Sequence, residues 1–270
     1  MTPQYERDLA DRLADFLVRW VDADLRSYLA EHSRLPGPRA NLELAEAFAR
    51  AVTLLPKEEK AMWTLCLRWV GLPPDDAPTD DPREFVVFCG VRAMGALGAA
   101  SPGRAREALV HLRALARDSR WRVRKAVAMA IQDLAVAEPA ATVRTLERWV
   151  APGAWLEMRA VAAGLAEPRV LKERKVAVAA IRIHEDILRR FRSTEDRESA
   201  AFRSLRKCLA YSVSVVVAAA PEEGFRWITR LAATKDDDVV WILRENLKKS
   251  RLVAVFPARV QQLQAVLRHR

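Results

Sequence analysis

From residue 83 onward, the chain alternates apolar stretches, each about a dozen residues long, with short polar turns such as SPGR at 101–104 and DS at 118–119. Ala, Leu, Arg and Glu dominate these stretches, and the 270-residue chain has only 9 Gly. No stretch shows the sustained apolar–polar alternation of a half-buried strand. Strong helix formers joined by such short connections predict an all-α fold of antiparallel helix pairs.

The helix pairs repeat along the sequence. A shift of 34 residues aligns 112–127 with 146–161 and places Trp121 on Trp155. A shift of 116 residues aligns the turn at 115–123 with the turn at 231–239. Because one helix pair cannot bury its apolar face alone, this repetition predicts an irregular α-solenoid in which neighbouring pairs stack.

A Pro- and Asp-rich segment, GLPPDDAPTDDP at 71–82, interrupts the helical pattern and coincides with a change of charge sign. Residues 1–84 carry 11 Lys or Arg against 16 Asp or Glu, whereas residues 85–270 have a net charge of +15. The sequence therefore predicts an acidic N-terminal helical region at 1–82 and a basic solenoid at 83–270. Near the N-terminus, residues 5–31 carry apolar side chains that can share one helical stripe.

The unit PGRAREALVHLRALARDSRWRVRKAVAMAIQDL at 102–134 resembles a HEAT repeat of the armadillo-like α-solenoid family. Asp118 falls in its turn, and Arg124 follows six residues later. In HEAT proteins these two residues form a hydrogen-bonded ladder between neighbouring units, and the resemblance implies that role for Asp118 and Arg124. The other units of this chain lack the pair, which favours an irregular solenoid.

A second resemblance concerns the late segment DVVWILRENLKKSRL at 238–252. Its Trp241, Leu243, Arg244 and Glu245 are similar to the Trp-x-Leu-Arg-Glu helix of bacterial HEAT-like alkylpurine DNA glycosylases, whose concave surface is basic. The resemblance implies a DNA-binding surface. No segment matches that family's catalytic Asp with its neighbouring Trp, so glycosylase activity does not follow from it.

On the helix after Asp118, the 100° advance per residue gathers the apolar side chains on one face. Trp121, Lys125 and Gln132 cluster on the opposite face, flanked by Arg122. An exposed Trp beside cations suits stacking on a nucleic-acid base while the cations hold phosphates. The competing interpretation is that Trp121 caps the packing between units, because regular recurrence of a Trp is what packing requires.

Basic residues suggest an anionic partner. Residues 101–127 carry eight basic against two acidic side chains, and 169–192 carry eight against three. Such runs suit a phosphate backbone or an acidic protein, although charge runs are usually solvated faces and cations near a helix C-terminus oppose its dipole. The remaining candidate partner-binding residues are Arg113, Arg117, Trp155, Arg159, Trp241, Arg244 and Lys248.

No pattern in the chain indicates catalysis, a cofactor or a metal. The four His are isolated, the three Cys form no CxxC, and phosphate-binding Gly loops and nucleophile elbows are absent from the sequence. No signal peptide or bilayer-length apolar segment is present, so we predict a cytoplasmic protein with no membrane partner.

The sequence thus predicts a non-enzymatic HEAT-like binding or scaffold module that recognises an anionic partner through a basic surface, with no small-molecule substrate. The alternative is a DNA-binding protein or DNA glycosylase of the HEAT-like alkylation-repair type. In both cases an acidic protein or a nucleic acid is the expected partner, and DNA is favoured over RNA.

Overall fold

A computed structural model describes residues 3–151 and 154–268. In this part of the chain all regular structure is helical, which confirms the predicted all-α class. The α-helices are α1 (Pro3–Arg19), α2 (Ala23–Glu31), α3 (Leu42–Thr53), α4 (Glu59–Val70), α5 (Pro82–Ala100), α6 (Pro102–Leu115), α7 (Trp121–Ala137), α8 (Pro139–Val150), α9 (Trp155–Leu165), α10 (Arg174–Arg192), α11 (Ala200–Ala219), α12 (Pro221–Ala232), α13 (Asp237–Asn246), α14 (Ser250–Val253) and α15 (Pro257–Arg268). A 3-10 turn, Pro56–Glu58, precedes α4.

The chain divides into two compact units, Met1–Glu138 and Pro139–Arg270. The Pro- and Asp-rich segment at 71–82 lies within the first unit, where α5 packs against α2, α3 and α4. The domain boundary after residue 82 therefore stays a prediction from composition and charge, and helices on both sides of it share one unit.

Local side chains set where several helices begin. Asn41, the predicted N-cap of α3, accepts a hydrogen bond from the Leu44 N–H at 3.2 Å. Ser199 and Asp236 cap α11 and α13 in the same way. Six helices begin at a Pro, whose missing N–H costs nothing in the first turn. The Ser199 cap fixes the start of α11 at Ala200.

The predicted stripe at 5–31 is broken into α1 and α2. Trp20 has a positive φ of 57°, a left-handed conformation that ends the first helix. Two residues later Asp22 is buried and accepts a hydrogen bond from the indole Nε1–H of Trp69 at 2.7 Å. The chain turns here because Asp22 binds Trp69 on α4. The helical periodicity of the sequence does not predict that contact.

Helix α5 is the centre of the first unit. Nearly all of its side chains from Glu84 to Gly98 are buried, as expected of a helix that is apolar on all sides. It packs against α2, α3, α4, α6 and α7. A Cβ added to Gly95 would lie 2.5 Å from the Cβ of Ala130 on α7, so glycine is what permits the two backbones to approach.

Three arginines are buried in the first unit with their charges compensated. Arg92 lies 2.5 Å from Asp133 and 2.7 Å from Glu46. Arg120 binds the Asp118 carboxylate at 2.7 Å. Arg122, the third, binds the carboxylates of Glu84 and Asp80. A buried cation is tolerated only when such partners replace its water, so these side chains are structural.

The turn between α6 and α7 is held by Asp118, Arg120 and Arg124. Arg124 donates from Nη1 to the backbone carbonyls of Asp118 and Ser119 at 2.6 and 2.7 Å. The Asp118 carboxylate accepts from the backbone and side chain of Arg120. Arg120 also donates to carbonyls in the 71–82 segment, which ties the turn to that segment. A ladder between units stays a prediction.

The second unit has two layers of helices. One layer is formed by α8, α10, α12 and α15, and the other by α9, α11 and α13. From α8 to α13 each helix packs against the next along the chain, and within the layers α8 packs against α10, α10 against α12, α9 against α11 and α11 against α13. This order is the solenoid-like packing that the repeated helix pairs predict.

His184 joins the two layers of the second unit. It is fully buried on α10, its Nδ1 lies 2.8 Å from the carbonyl of Ala180, and its Nε2 lies 3.2 Å from Ser212 Oγ on α11. Burial lowers the pKa of His184 to about 4, although the hydrogen bond to Ala180 opposes that shift. The side chain is therefore neutral and structural at pH 7.

We predict that Gly95→Ala destabilises the protein by about 2–4 kcal/mol, because the added methyl group forces α5 away from the α7 backbone. Gly103→Ala is the matched control. Its added Cβ meets nothing nearer than 4.0 Å, so helix propensity predicts no loss or a gain of up to about 1 kcal/mol. Urea denaturation of both variants tests this, and equal effects would contradict it.

We predict that His184 makes the protein less stable at acidic pH. Because its pKa is about 4 in the folded state and about 6.5 in the unfolded chain, the unfolded state binds more protons between these values. Protonation of His184 therefore makes the free energy of unfolding about 2 kcal/mol lower at pH 5 than at pH 7.5. Urea midpoints of wild type and His184→Gln test this, and equal pH dependence in both would contradict it.

Candidate functional site

Trp155 and Arg159, both predicted from sequence, lie on α9 against α11. The Trp155 ring packs edge-on against the buried Phe202, with ring centroids 5.6 Å apart. The carbonyl oxygen of Arg159 lies 3.7 Å from the thiol sulfur of Cys208. Trp155 thus serves packing between helices, which supports the capping interpretation at this position, while Arg159 remains half-exposed.

Tyr211 continues this surface on α11 and is 39% exposed. Its hydroxyl lies 3.7 Å from the Cys208 sulfur. Burial of the hydroxyl and then the neighbouring thiol raise the pKa of Tyr211, and the positive charge of Arg159 opposes the rise. Tyr211 is therefore a neutral phenol within the electrostatic reach of Arg159.

Trp241 lies on α13 and is covered by a cation from α11. The guanidinium of Arg206 is 3.8 Å from the centroid of the Trp241 ring, and Arg206 Nε is 2.6 Å from Asp238. Arg197 binds the same carboxylate at 3.0 Å and holds Asp236 as well. These ion pairs fix Arg206 over the ring, a geometry worth about 0.5–1 kcal/mol at an exposed site.

Sequence reasoning missed the cations of α11. Arg203, Lys207 and Tyr211 follow one another at four-residue spacing and are all exposed, so they share one stripe of the helix. Lys207 forms no ion pair with any residue that the structure describes. The four-residue spacing in the sequence was sufficient to predict this stripe. We name as the basic face the side chains of Arg159, Arg203, Arg206, Lys207, Tyr211 and Trp241.

Arg244 and Lys248 gather beside Trp241 around a cavity of about 360 Å³ between α13 and α15. Arg244 donates to the carbonyl of Leu267 at 2.7 Å, and Lys248 lies 2.5 Å from Glu245. Both cations are near helix C-termini, where positive charge is favoured by the exposed carbonyls. Their placement has a structural explanation, so we leave them outside the basic face.

The net charge of the protein resides in the second unit. Residues 1–138 contain 20 Lys or Arg and 20 Asp or Glu, whereas residues 139–270 contain 25 basic and 15 acidic residues, a net charge of +10. The second unit is therefore the part of the chain that long-range attraction would direct toward an anion.

Arg122 was predicted to flank an exposed face, but the structure places it in the interior, 2% exposed. Its Nη1 lies 3.0 Å from Glu84 and 2.6 Å from Asp80, and its Nη2 donates to the carbonyl of Gly37 at 2.6 Å. The helical wheel fails here because these partners come from α5 and from distant loops. Arg122 is a structural residue.

Trp121 and Lys125 do lie on an exposed face of α7. The Trp121 ring is 41% exposed and is covered on one side by Arg122, whose guanidinium is 4.2 Å from its centroid. Burial lowers the pKa of Lys125, and the charges of Arg122 and Arg39 lower it further. Arg39, which sequence reasoning did not select, therefore acts on Lys125 from the loop before α3.

The other predicted residues of the first unit are spread over α6, α7 and the turn between them. Gln132 and Arg113 are half-buried and Arg117 is exposed. Each of the three makes at least one polar, ionic or ring interaction. Trp121 and Lys125 thus share one exposed face of α7. The described contacts do not join Arg113, Arg117 and Gln132 to that face in a common site.

No catalytic constellation is apparent in the part of the chain that the structure describes. No group of three or more His, Cys, Asp or Glu there is arranged to hold a metal ion. Cys66, Cys89 and Cys208 are buried, and burial raises the pKa of each thiol, to about 12 for Cys66. None is a thiolate at neutral pH. No described helix has the length and apolar character needed to cross a membrane.

Comparison with protein-family models and with curated proteins finds no match. Among solved structures, the chain is similar to the crystal structure of an engineered protein, at 14% sequence identity and a TM-score of 0.33. The similarity covers 87% of this chain and 97% of that chain. Identity and TM-score are both too low for this similarity to support an argument about fold or function.

We predict that Arg122→Ala destabilises the protein by about 3–5 kcal/mol, because it leaves the buried Glu84 carboxylate without its cation. Lys125→Ala, one turn along the same helix, removes an exposed cation whose charged neighbours are themselves cationic. We expect it to change stability by no more than about 0.5 kcal/mol. Thermal unfolding of the two variants tests this, and a small effect of Arg122→Ala would refute its structural role.

Proposed function

We propose that this protein is a non-enzymatic binding module whose second unit, Pro139–Arg270, binds a polyanion on the basic face. The observation that carries the proposal is that the whole net charge of +10 belongs to this unit, where exposed cations follow α11. A polyanion that meets these cations releases its counterions, which is the main source of affinity in such complexes.

The side chains of the basic face favour a nucleic acid over an acidic protein. Tyr211 and Trp241 present aromatic rings among the cations, and Arg206 is already stacked on Trp241. Rings interleaved with cations suit the sugars of a nucleic-acid backbone, which pack beside its phosphates, whereas an acidic protein needs only the cations. Duplex DNA is the partner that we propose, and the scaffold role with an acidic protein is the outcome to exclude.

The glycosylase alternative receives no support from the site. Asp118, the acid nearest to that family's pattern, has its carboxylate bound by Arg120 and by a backbone N–H. Its carboxylate is thereby committed to the turn between α6 and α7. We therefore propose binding without base excision, and release of a base from alkylated DNA by the purified protein would contradict that.

We predict that Lys207→Glu weakens binding to a fluorescent DNA duplex about tenfold at low salt, because it replaces one phosphate contact with repulsion. Lys175→Glu is the matched control. It makes the same change at an exposed lysine of α10, in the other layer of the second unit. Fluorescence anisotropy measures both affinities.

Three results would overturn the proposal. Wild-type protein that fails to bind the duplex even at low salt would exclude a polyanion-binding role. Equal weakening by Lys207→Glu and Lys175→Glu would remove the basic face from it. Binding of polyglutamate as tight as binding of DNA would favour an acidic protein as the partner.

A further inference from the structure

A cavity of about 490 Å³ lies in the second unit, beside the C-terminal ends of α9 and α11 and the short helix α14. Most of its lining is apolar and consists of small or branched side chains, namely Ala166, Pro168, Leu171, Val215, Ala218 and Ala219. The polar part of the lining is Glu167, Tyr211 and Arg251. A largely apolar cavity of this size with a few polar groups is the usual form of a small-molecule site.

The two charged residues of this cavity are not paired. Glu167 is half-exposed and Arg251 is exposed, and neither forms an ion pair or a side-chain hydrogen bond with any residue that the structure describes. Because both line the same cavity, it offers one free carboxylate and one free guanidinium beside an apolar surface. A ligand with a single charge would leave one of the two without a partner, whereas a zwitterion satisfies both.

The helix ends beside Glu167 increase the negative potential there. Glu167 follows the C-cap residue of α9, and Ala218 and Ala219 belong to the last turn of α11. Neither helix has a basic residue in its last turn, although the C-terminus of a helix carries a partial negative charge. The carboxylate and these helix ends together favour a cationic group, and Arg251 favours an anionic one.

We propose that this cavity binds a free α-amino acid with an apolar side chain. The ammonium group donates to the Glu167 carboxylate, the α-carboxylate accepts from the Arg251 guanidinium, and the side chain packs on the apolar lining. A compact cavity of this volume is about 10 Å across, and an amino acid with a hydrogen bond of about 2.8 Å at each charged group spans up to about 9 Å. The ligand therefore reaches both charges at once.

The ring of Tyr211 selects among apolar side chains. It is 39% exposed and lines the cavity, and an aromatic side chain gains attraction from a neighbouring ring beyond its burial. We therefore expect phenylalanine to bind better than leucine. Tyr211 also belongs to the basic face, but the amino-acid site does not rest on the proposed function.

Isothermal titration calorimetry with L-phenylalanine tests the site in the full-length protein. The comparison compounds are 3-phenylpropionate, which lacks the ammonium group, and 2-phenylethylamine, which lacks the carboxylate. We expect one L-phenylalanine to bind per chain and each analogue to bind about tenfold more weakly, because each loses one charge-assisted hydrogen bond.

Substitutions assign the two charges. Arg251→Gln should weaken L-phenylalanine about tenfold and leave 2-phenylethylamine unaffected, since the amine has no carboxylate for Arg251 to bind. Glu167→Gln should do the same with 3-phenylpropionate as the unaffected compound. Arg226→Gln is the matched control, because Arg226 is an exposed arginine of α12 that lines a different cavity. We expect it to change no affinity.

A substitution that fills the cavity tests the location without removing a charge. Ala218 is half-buried in the cavity lining, so Ala218→Leu places a larger apolar side chain there without disturbing the core. We expect this variant to keep the thermal midpoint of wild type and to lose binding of L-phenylalanine. Binding that survives Ala218→Leu would exclude this cavity as the site.

Four further results would overturn the proposal in whole or in part. Absence of L-phenylalanine binding at millimolar concentrations would exclude the site. Equal binding of 2-phenylethylamine would remove the role of Arg251, and equal binding of 3-phenylpropionate would remove that of Glu167. Equal weakening by Arg251→Gln and Arg226→Gln would reduce the effect to net charge. Failure of the protein to bind duplex DNA would refute the proposed function and leave the amino-acid site standing.

Discussion

The close approach of α5 and α7 is the contact on which the first unit depends. Gly95 leaves no room for a side chain against Ala130, so the two helix backbones meet directly. Because α5 is buried on all sides by five other helices, this contact fixes α7 relative to the whole unit. The first turn of α7, which carries the exposed Trp121 and Lys125, is therefore rigidly placed, and its Val123 is part of the core.

Buried ion pairs decide which of the many arginines are available to a partner. Arg92, Arg120 and Arg122 each connect segments that are more than 35 residues apart in the sequence, through carboxylates or backbone carbonyls. Removing one partner of such a pair leaves a buried charge without compensation, so these residues are held in place by the fold. A count of basic residues in the first unit thus overstates its binding surface, whereas the excess in the second unit lies largely on exposed helix faces.

Local signals in the sequence were sufficient for the helices and for some of their ends. Asn41 caps α3 as predicted, because a cap depends only on residues within one turn. The break at Trp20 was not predictable in this way, since the contact that explains it joins Asp22 to Trp69, 47 residues later.

The candidate site shows the same difference between local and long-range contacts. Helical spacing correctly placed Trp121 and Lys125 on an exposed face, but Arg122 is drawn inward by Gly37, which lies 85 residues away. Arg39 and Arg206 were missed because their roles depend on which helix or loop packs beside them. The spacing of Arg203, Lys207 and Tyr211, in contrast, was present in the sequence and went unused.

The salt dependence of duplex DNA binding by the wild-type protein tests the central claim most directly. If the basic face meets several phosphates, the logarithm of the association constant falls linearly with the logarithm of salt concentration, with a slope of about −0.9 for each phosphate neutralised. The account predicts a slope of about −2 or steeper, given that Arg203 and Lys207 are exposed on one helix, whereas Arg206 is held by Asp238. A slope near zero, or no binding at low salt, would contradict it.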